Sequence, residues 1–143
     1  MKKTFRSGCP IASMLDIVGD KWSLLIIRDM LLAGKKTFKD FSSSIESIAP
    51  GILSSRLKML ESVELITKRK LPENNKENIY LLTEKGIELV PLITEMILWS
   101  DKHVRPLNTE MYDISDKGFD RDKSKVMEYI QFNYRELVKG LVG

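Results

Sequence analysis

Between Pro50 and Ser62 the chain mixes leucines with small hydroxyls and cations, in the order PGILSSRLKMLES. Leu53, Leu57 and Leu60 fall at i, i+4 and i+7, the spacing of one buried stripe on a helix. Gly51, Ile52, Ser54, Ser55, Arg56 and Lys58 lie between them and face outward. Serine hydroxyls can bond the edges of bases, an isoleucine suits a thymine methyl, and Arg and Lys neutralise phosphates. The chemistry that this face offers is groove contact with duplex DNA, with Ser54 and Ser55 on bases and Arg56 and Lys58 on phosphates. Arg56 also has a duller use, pairing with an acidic neighbour.

A basic segment follows. Leu65 to Leu71 and Ile79 to Leu82 read as two strands around a polar turn, Pro72 to Asn78. Lys68, Arg69, Lys70 and Lys76 charge this hairpin, and Lys68 and Lys70 share one strand face because side chains alternate. Asn75 and Lys76 in the turn, and Thr37 and Lys39 at the start of an upstream helix, complete the candidate DNA-contacting set. A reading helix followed by a basic hairpin predicts a winged helix-turn-helix: mainly α, with a small β-hairpin wing and a helical dimerisation extension.

Other chemistry finds little to work with. One cysteine, Cys9, and one histidine, His103, stand far apart, giving no nucleophile–base pair and no metal-ligand cluster. No glycine-rich phosphate loop is present, so neither an enzyme nor a resident cofactor or metal is expected. A hydrophobic share of 43% with 30% charged residues describes a globular chain of single-domain size. No apolar run approaches the ~20 residues of a membrane span, and no signal-peptide core precedes Cys9. A lone cysteine and no leader lead us to expect a reducing cytoplasm and no membrane partner. The net charge of +3 is unevenly spread. Residues 20–70 hold ten cations against six anions, whereas residues 71–143 hold ten against thirteen. The basic half is the half with the reading helix, as a phosphate-binding footprint requires.

The elements that must hold this face can be read along the chain. Pro10 starts a short helix lined by Ile11, Leu15 and Val18 and closed by Gly19. Asp20 caps a second, buried through Trp22, Leu25, Ile26, Met30 and Leu31 or Leu32, and Gly34 ends it. Thr37 caps a third, Phe38 to Ser43, with Phe38 and Phe41 inward, and Ser44 to Ala49 turn into the reading helix. Ala49 is a poor cap for that helix. Thr83 caps a helix running from Glu84 to about His103, which Pro91 should kink or divide. That helix is apolar on two sides: Ile87, Val90, Ile93 or Thr94, and Ile97 on one, and Leu89, Leu92, Met96 and Trp99 on the other. Such a helix needs two burial partners, one of them a second copy of the chain. Leu89, Leu92, Met96, Ile97 and Trp99 are therefore the candidate dimer interface. Residues 120–139 give a final amphipathic helix through Val126, Ile130, Tyr134 and Leu137 or Val138. The expected organisation is a DNA-binding domain, 1–106, and a C-terminal helical extension, 107–143, that joins the dimer.

Four motifs stand in a fixed order: Cys9-Pro10, Gly19-Asp20-Lys21-Trp22, Leu53-x-x-Arg56-Leu57-x-x-Leu60-Glu61 and Leu82-Thr83-Glu84-Lys85-Gly86. Together they resemble the HxlR-type family of bacterial and archaeal transcription regulators, which are MarR-like, over roughly residues 9–103. The resemblance implies a dimeric winged-helix protein that binds a two-fold-related operator. It also implies that Cys9 is a redox or electrophile switch, since several members use an N-terminal cysteine so. The helix start beside Cys9, with Lys2, Lys3 and Arg6 near in sequence, favours a thiolate. Ala49-Pro50-Gly51 departs from the family's polar, hydroxyl-capped start, and the tail beyond His103 is longer than its core. A small-molecule inducer is left unnamed. The rival from another class is a winged-helix module that binds protein and no DNA.

Overall fold

The computed structural model describes residues 4–142. Helix starts follow the capping residues. α1 (Pro10–Val18) opens on Pro10. α2 (Ser23–Ala33) is capped by Asp20, whose carboxylate accepts the Trp22 and Ser23 N–H groups, both at 2.9 Å. α3 (Phe38–Ser42) carries a capping box, in which Thr37 Oγ1 accepts the Asp40 N–H and Asp40 accepts that of Thr37. α4 (Pro50–Ser62) is the reading helix, and its leucine stripe is buried as its spacing requires. α5 (Glu84–Ile87) and α6 (Val90–His103) replace the single helix expected over 84–103. Pro91 separates them because it is tolerated only in a first turn, and it takes that place in α6.

The wing is an antiparallel pair, β1 (Ile66–Leu71) and β2 (Asn74–Leu82). β2 starts five residues earlier than the expected Ile79, and Asn75 and Lys76 lie on a strand rather than in a loop. The turn is only Pro72 and Glu73, because Leu71 pairs with Asn74 across an irregular step in the register. β2 is held on its other edge as well, where the Tyr80 N–H donates to the Lys36 carbonyl at 2.7 Å.

Two apolar assignments differ from expectation. Ile11 and Leu15 are exposed, at 73% and 53%, leaving Val18 as the one buried member of the α1 stripe. Phe38, at 38%, is also exposed, while Phe41 is buried.

Residues 107–142 do not stand apart from the remainder of the described residues. Ile114, Phe119, Val126, Ile130 and Tyr134 enter the same core cluster as Leu53, Leu57, Ile66 and Val90. The last three of the five belong to α7 (Lys123–Val142), which begins and ends three residues later than expected. The Tyr134 hydroxyl accepts the buried Leu82 N–H at 2.8 Å, and Arg135 forks onto Glu84 at 2.6 and 3.0 Å. Further along, Val138 and Leu141 cover Leu71, Ile79 and Leu81 on the outer face of the wing. At Gly34 the backbone is left-handed (φ 65°), and a Cβ there would come within 2.5 Å of Leu137 Cδ1. The glycine that ends α2 thus also admits α7.

Candidate nucleic-acid interface

The outward face of α4 is set by its buried one. Leu53, Leu57 and Leu60 are at most 2% exposed, so Gly51, Ile52, Ser55 and Lys58 face solvent, with Ser54 and Arg56 half-buried at the margin. A surface groove of about 400 Å³ brings Gly51, Ile52, Ser55 and Arg56 together with Asp20 and Trp22. Ala49 supplies no side-chain cap, so the first N–H groups of α4 have no side-chain partner there. A Cβ at Gly51 would meet nothing within 4 Å, so the fold itself does not require that glycine.

Arg56 takes the duller of its two foreseen roles, pairing with an acidic neighbour. Its guanidinium lies 3.7 Å from Asp20 and also donates to Ser55 Oγ at 3.2 Å, which holds it at the groove rim. Burial pushes the Asp20 carboxyl up, but the Ser23 hydroxyl, the Trp22 and Ser23 N–H groups and Arg56 outweigh it. The group therefore titrates below the ordinary carboxylate range. Asp20, Trp22 and the exposed Lys21, whose ammonium sits 5.1 Å from the Trp22 ring centroid, were not among the candidate contacts. The Gly-Asp-Lys-Trp motif was the signal for them, but only the fold brings it beside α4.

The turn before α4 is clamped from α2. Arg28 donates to both Glu46 oxygens, at 2.7 and 2.8 Å, and to Asp29 at 2.7 and 3.0 Å; Ser44 Oγ donates to Glu46 at 2.8 Å. Ser47 in this turn is left-handed at φ 59°. Hydrogen bonding from Arg28 holds the Glu46 carboxyl down at about 2, and burial only partly opposes it. The same contacts push the Arg28 guanidinium up, Glu46 most of all.

On the wing, Lys68 pairs across from Tyr80 and lies on the face of Ile66 and Leu82. Lys70 shares that face by alternation, whereas Thr67 and Arg69 lie on the face covered by α7. Lys68, Lys70, Asn75 and Lys76 are all exposed. Lys39 is exposed on α3, but Thr37 is 8% exposed and its hydroxyl is spent on the cap. On α6, Leu92, Met96 and Trp99 form an open stripe at i, i+4 and i+7, with exposures of 37%, 46% and 61%. Leu89 and Ile97 are half-buried against their own core. Cys9 is exposed at the start of α1, and its N–H donates to Ser7 Oγ at 3.2 Å. Arg6 is paired with Asp16 at 2.5 Å, and Lys2 and Lys3 lie outside the described residues.

The HxlR-like helix-turn-helix family matches residues 17–108, which include α2 to α6 and the wing. The chain belongs to that family. It is thus a DNA-binding winged-helix protein of transcription regulation, with α7 lying beyond the HxlR-like part. The HTH-type transcriptional regulator YodB of Bacillus subtilis is 38% identical over 102 residues, 71% of this chain and 90% of YodB. The structure of reduced YodB aligns at a TM-score of 0.57 and 36% identity, covering 70% of this chain and 98% of that one. YodB is also known as a diamide-treated form, at 0.52 and 35%, covering 66% and 94% of the two chains. Its quinone-bound form aligns at 0.54 and 37%, covering 66% and 98%. A SlyA-like transcription regulator from Listeria monocytogenes covers 98% of this chain and 97% of its own at a TM-score of 0.53; with 23% identity, the likeness is one of fold.

The Arg28–Glu46 clamp has a pH signature. The Glu46 carboxyl is depressed from an ordinary 4.5 to about 2, so its stabilising contribution is complete above the unfolded value and fades as pH falls through the folded one. A Glu46→Gln variant is expected to be less stable than wild type at pH 7 in urea unfolding. The gap should narrow below pH 4.5 and close near pH 2. A gap independent of pH would remove the ion pair as its cause.

Proposed function

We propose that this protein is a homodimeric transcription regulator that places two α4 helices in successive major grooves of a two-fold-related operator. The carrying observation is the convergence of Gly51, Ile52, Ser55 and Arg56 on one groove beside Asp20 and Trp22. Ser54, Ser55 and Ile52 read base edges. Arg56, Lys58, Lys39 and the wing cations hold phosphates, and Lys21 joins them from the start of α2. The uncapped N–H groups of α4 can take a phosphate oxygen, and Gly51 lets the backbone come close. Thr37 acts through the cap that orients α3.

The direct test is selection of bound fragments from genomic DNA, followed by titration of the selected site over a range of salt. Changing Lys68 and Lys70 to Ala should weaken all sequences alike and lower the salt slope by about one to two units. Altered sequence preference at an unchanged slope would refute this division of roles, and no selected site at all would favour the protein-binding rival.

The dimer rests on the open Leu92–Met96–Trp99 stripe of α6. Met96 and Trp99 can be changed without entering the core, unlike the half-buried Ile97. Replacing both with Asp should leave helix content intact, give a light-scattering mass of one chain and abolish operator binding. Each reading head would then lose the second half-site, about 34–36 Å away. A wild-type mass of one chain would exclude the dimer.

Cys9 is exposed, as a reactive thiol must be, and YodB is known in diamide-treated and quinone-bound forms. We infer that Cys9 makes operator binding responsive to oxidants or electrophiles. It is the one cysteine of the chain, so a disulfide must join two subunits or a small thiol. Diamide should change operator affinity in wild type and leave Cys9→Ser unaffected; equal affinities in all four samples would reduce Cys9 to packing.

A further inference from the structure

Asp20 is the one carboxylate among the residues that line the groove of Gly51, Ile52, Ser55 and Arg56. Its work as a cap is plain. One oxygen accepts the Trp22 and Ser23 N–H groups, both at 2.9 Å, and the other accepts the Ser23 hydroxyl at 2.6 Å. A cap needs an acceptor oxygen rather than a charge, and Asn or Ser serves about as well as Asp. Yet Asp20 is charged at neutral pH, because its hydrogen bonds and Arg56 outweigh the burial that would raise its carboxyl. An anion on a surface that meets phosphates weakens binding to every duplex alike, unless its charge has a task there.

That task is visible in Arg56, whose guanidinium is tied from two sides. Nη1 lies 3.7 Å from Asp20 Oδ1, in the one ion pair that the residue makes among the described residues. Nη2 donates to Ser55 Oγ at 3.2 Å. The two side chains of the pair are 28% and 26% exposed, so the arginine is within reach of a ligand but not free to roam. A guanidinium carries five N–H donors in a rigid fork. Asp20 and Ser55 occupy part of that fork, and the remaining donors can meet a phosphate without either tie being broken.

We propose that Asp20 is a positioning residue that makes the phosphate contact of Arg56 depend on correct docking of α4. Held by Asp20 and Ser55, Arg56 meets a phosphate only where α4 is fully seated, and Asp20, Arg56 and the phosphate oxygen then form an unbroken chain. On a loosely docked duplex of the wrong sequence the phosphate stands elsewhere, and the tied arginine does not follow it. Without the charge of Asp20 the long side chain swings to any phosphate in reach, and its contact no longer discriminates. Specificity is a difference of affinities, so withholding a cation from the wrong duplex raises it without any new base contact. This inference rests on the DNA-binding reading of α4.

The test uses the full chain, a selected operator and a random-sequence duplex of the same length. Asp20→Asn and Asp20→Ser keep a good cap and remove the charge, and matching thermal unfolding curves would verify that they fold. On the random duplex both should bind about three- to tenfold tighter than wild type, with a salt slope steeper by about one unit per reading head. On the operator the slope should stay as in wild type, so the ratio of operator to random affinity falls. Arg56→Gln leaves the cap untouched and tests the same idea from the other side. It should lower the operator slope by about one unit per head, spare the random-duplex slope, and cancel the effect of Asp20→Asn when the two are combined. Unchanged binding of the Asp20 variants to the random duplex, an equal gain with Arg56 absent, or an equal loss on both duplexes in Arg56→Gln would overturn the proposal. A protein that binds neither duplex refutes the DNA-binding reading itself; one that binds both, with the Asp20 variants indistinguishable from wild type, refutes only the role of Asp20.

Discussion

The one-sided burial of α4 is the constraint on which the remaining geometry depends. Each of its three leucines contributes roughly 1.5–3 kcal/mol when buried, whereas the missing hydroxyl cap at Ala49 costs about 1 kcal/mol. Burial wins, and it fixes the rotation of the helix as well as its existence. Turning α4 by one residue, about 100°, would bring leucine into water and Ser55 or Lys58 into the core. The reading face is therefore whatever the leucines leave over. Its weak first turn is tolerable because packing, not capping, holds the helix.

The wing poses a different problem, since a two-stranded hairpin is marginal alone. Its inner face reaches the main core through Ile66 and Leu82, and its outer face is closed by Val138 and Leu141 of α7. Between the two contacts, Tyr134 takes up the Leu82 N–H in a buried site, where an unmet donor would cost about 1–3 kcal/mol. The exposed Arg135–Glu84 pair adds little beside that. Lys68 and Lys70 lie on the inner face beyond Ile66, where the core no longer covers the hairpin and both stay exposed.

What the sequence made legible was local. Leucine spacing gave α4, Thr37 and Thr83 gave their caps, and Pro91 gave the break before α6. What it hid was long-range: Tyr134 to Leu82, Leu137 against Gly34, Arg28 to Glu46 and Asp20 to Arg56. No period or spacing marks such contacts, because each joins residues whose nearness exists only after folding. The polar start of β2 was hidden for another reason. Asn74 to Asn78 have poor strand propensity and are carried by pairing with β1. Of the site, the α4 face and the wing cations were readable; the Asp20–Trp22 side of the groove was not.

The open stripe of α6 and the reading face of α4 are tied through one core. Val90 and Ile93, on the buried side of α6, belong to the cluster that holds Leu53 and Leu57. A partner seated on Leu92, Met96 and Trp99 would therefore grip a helix that cannot shift without disturbing the packing of α4. Close-packed cores transmit such displacements rather than absorb them. In such a dimer the spacing of the two reading heads would follow from the angle at which α6 meets its copy. The turn clamped by Arg28 and Glu46 is a polar link between α2 and α4, beside the apolar one that the core supplies.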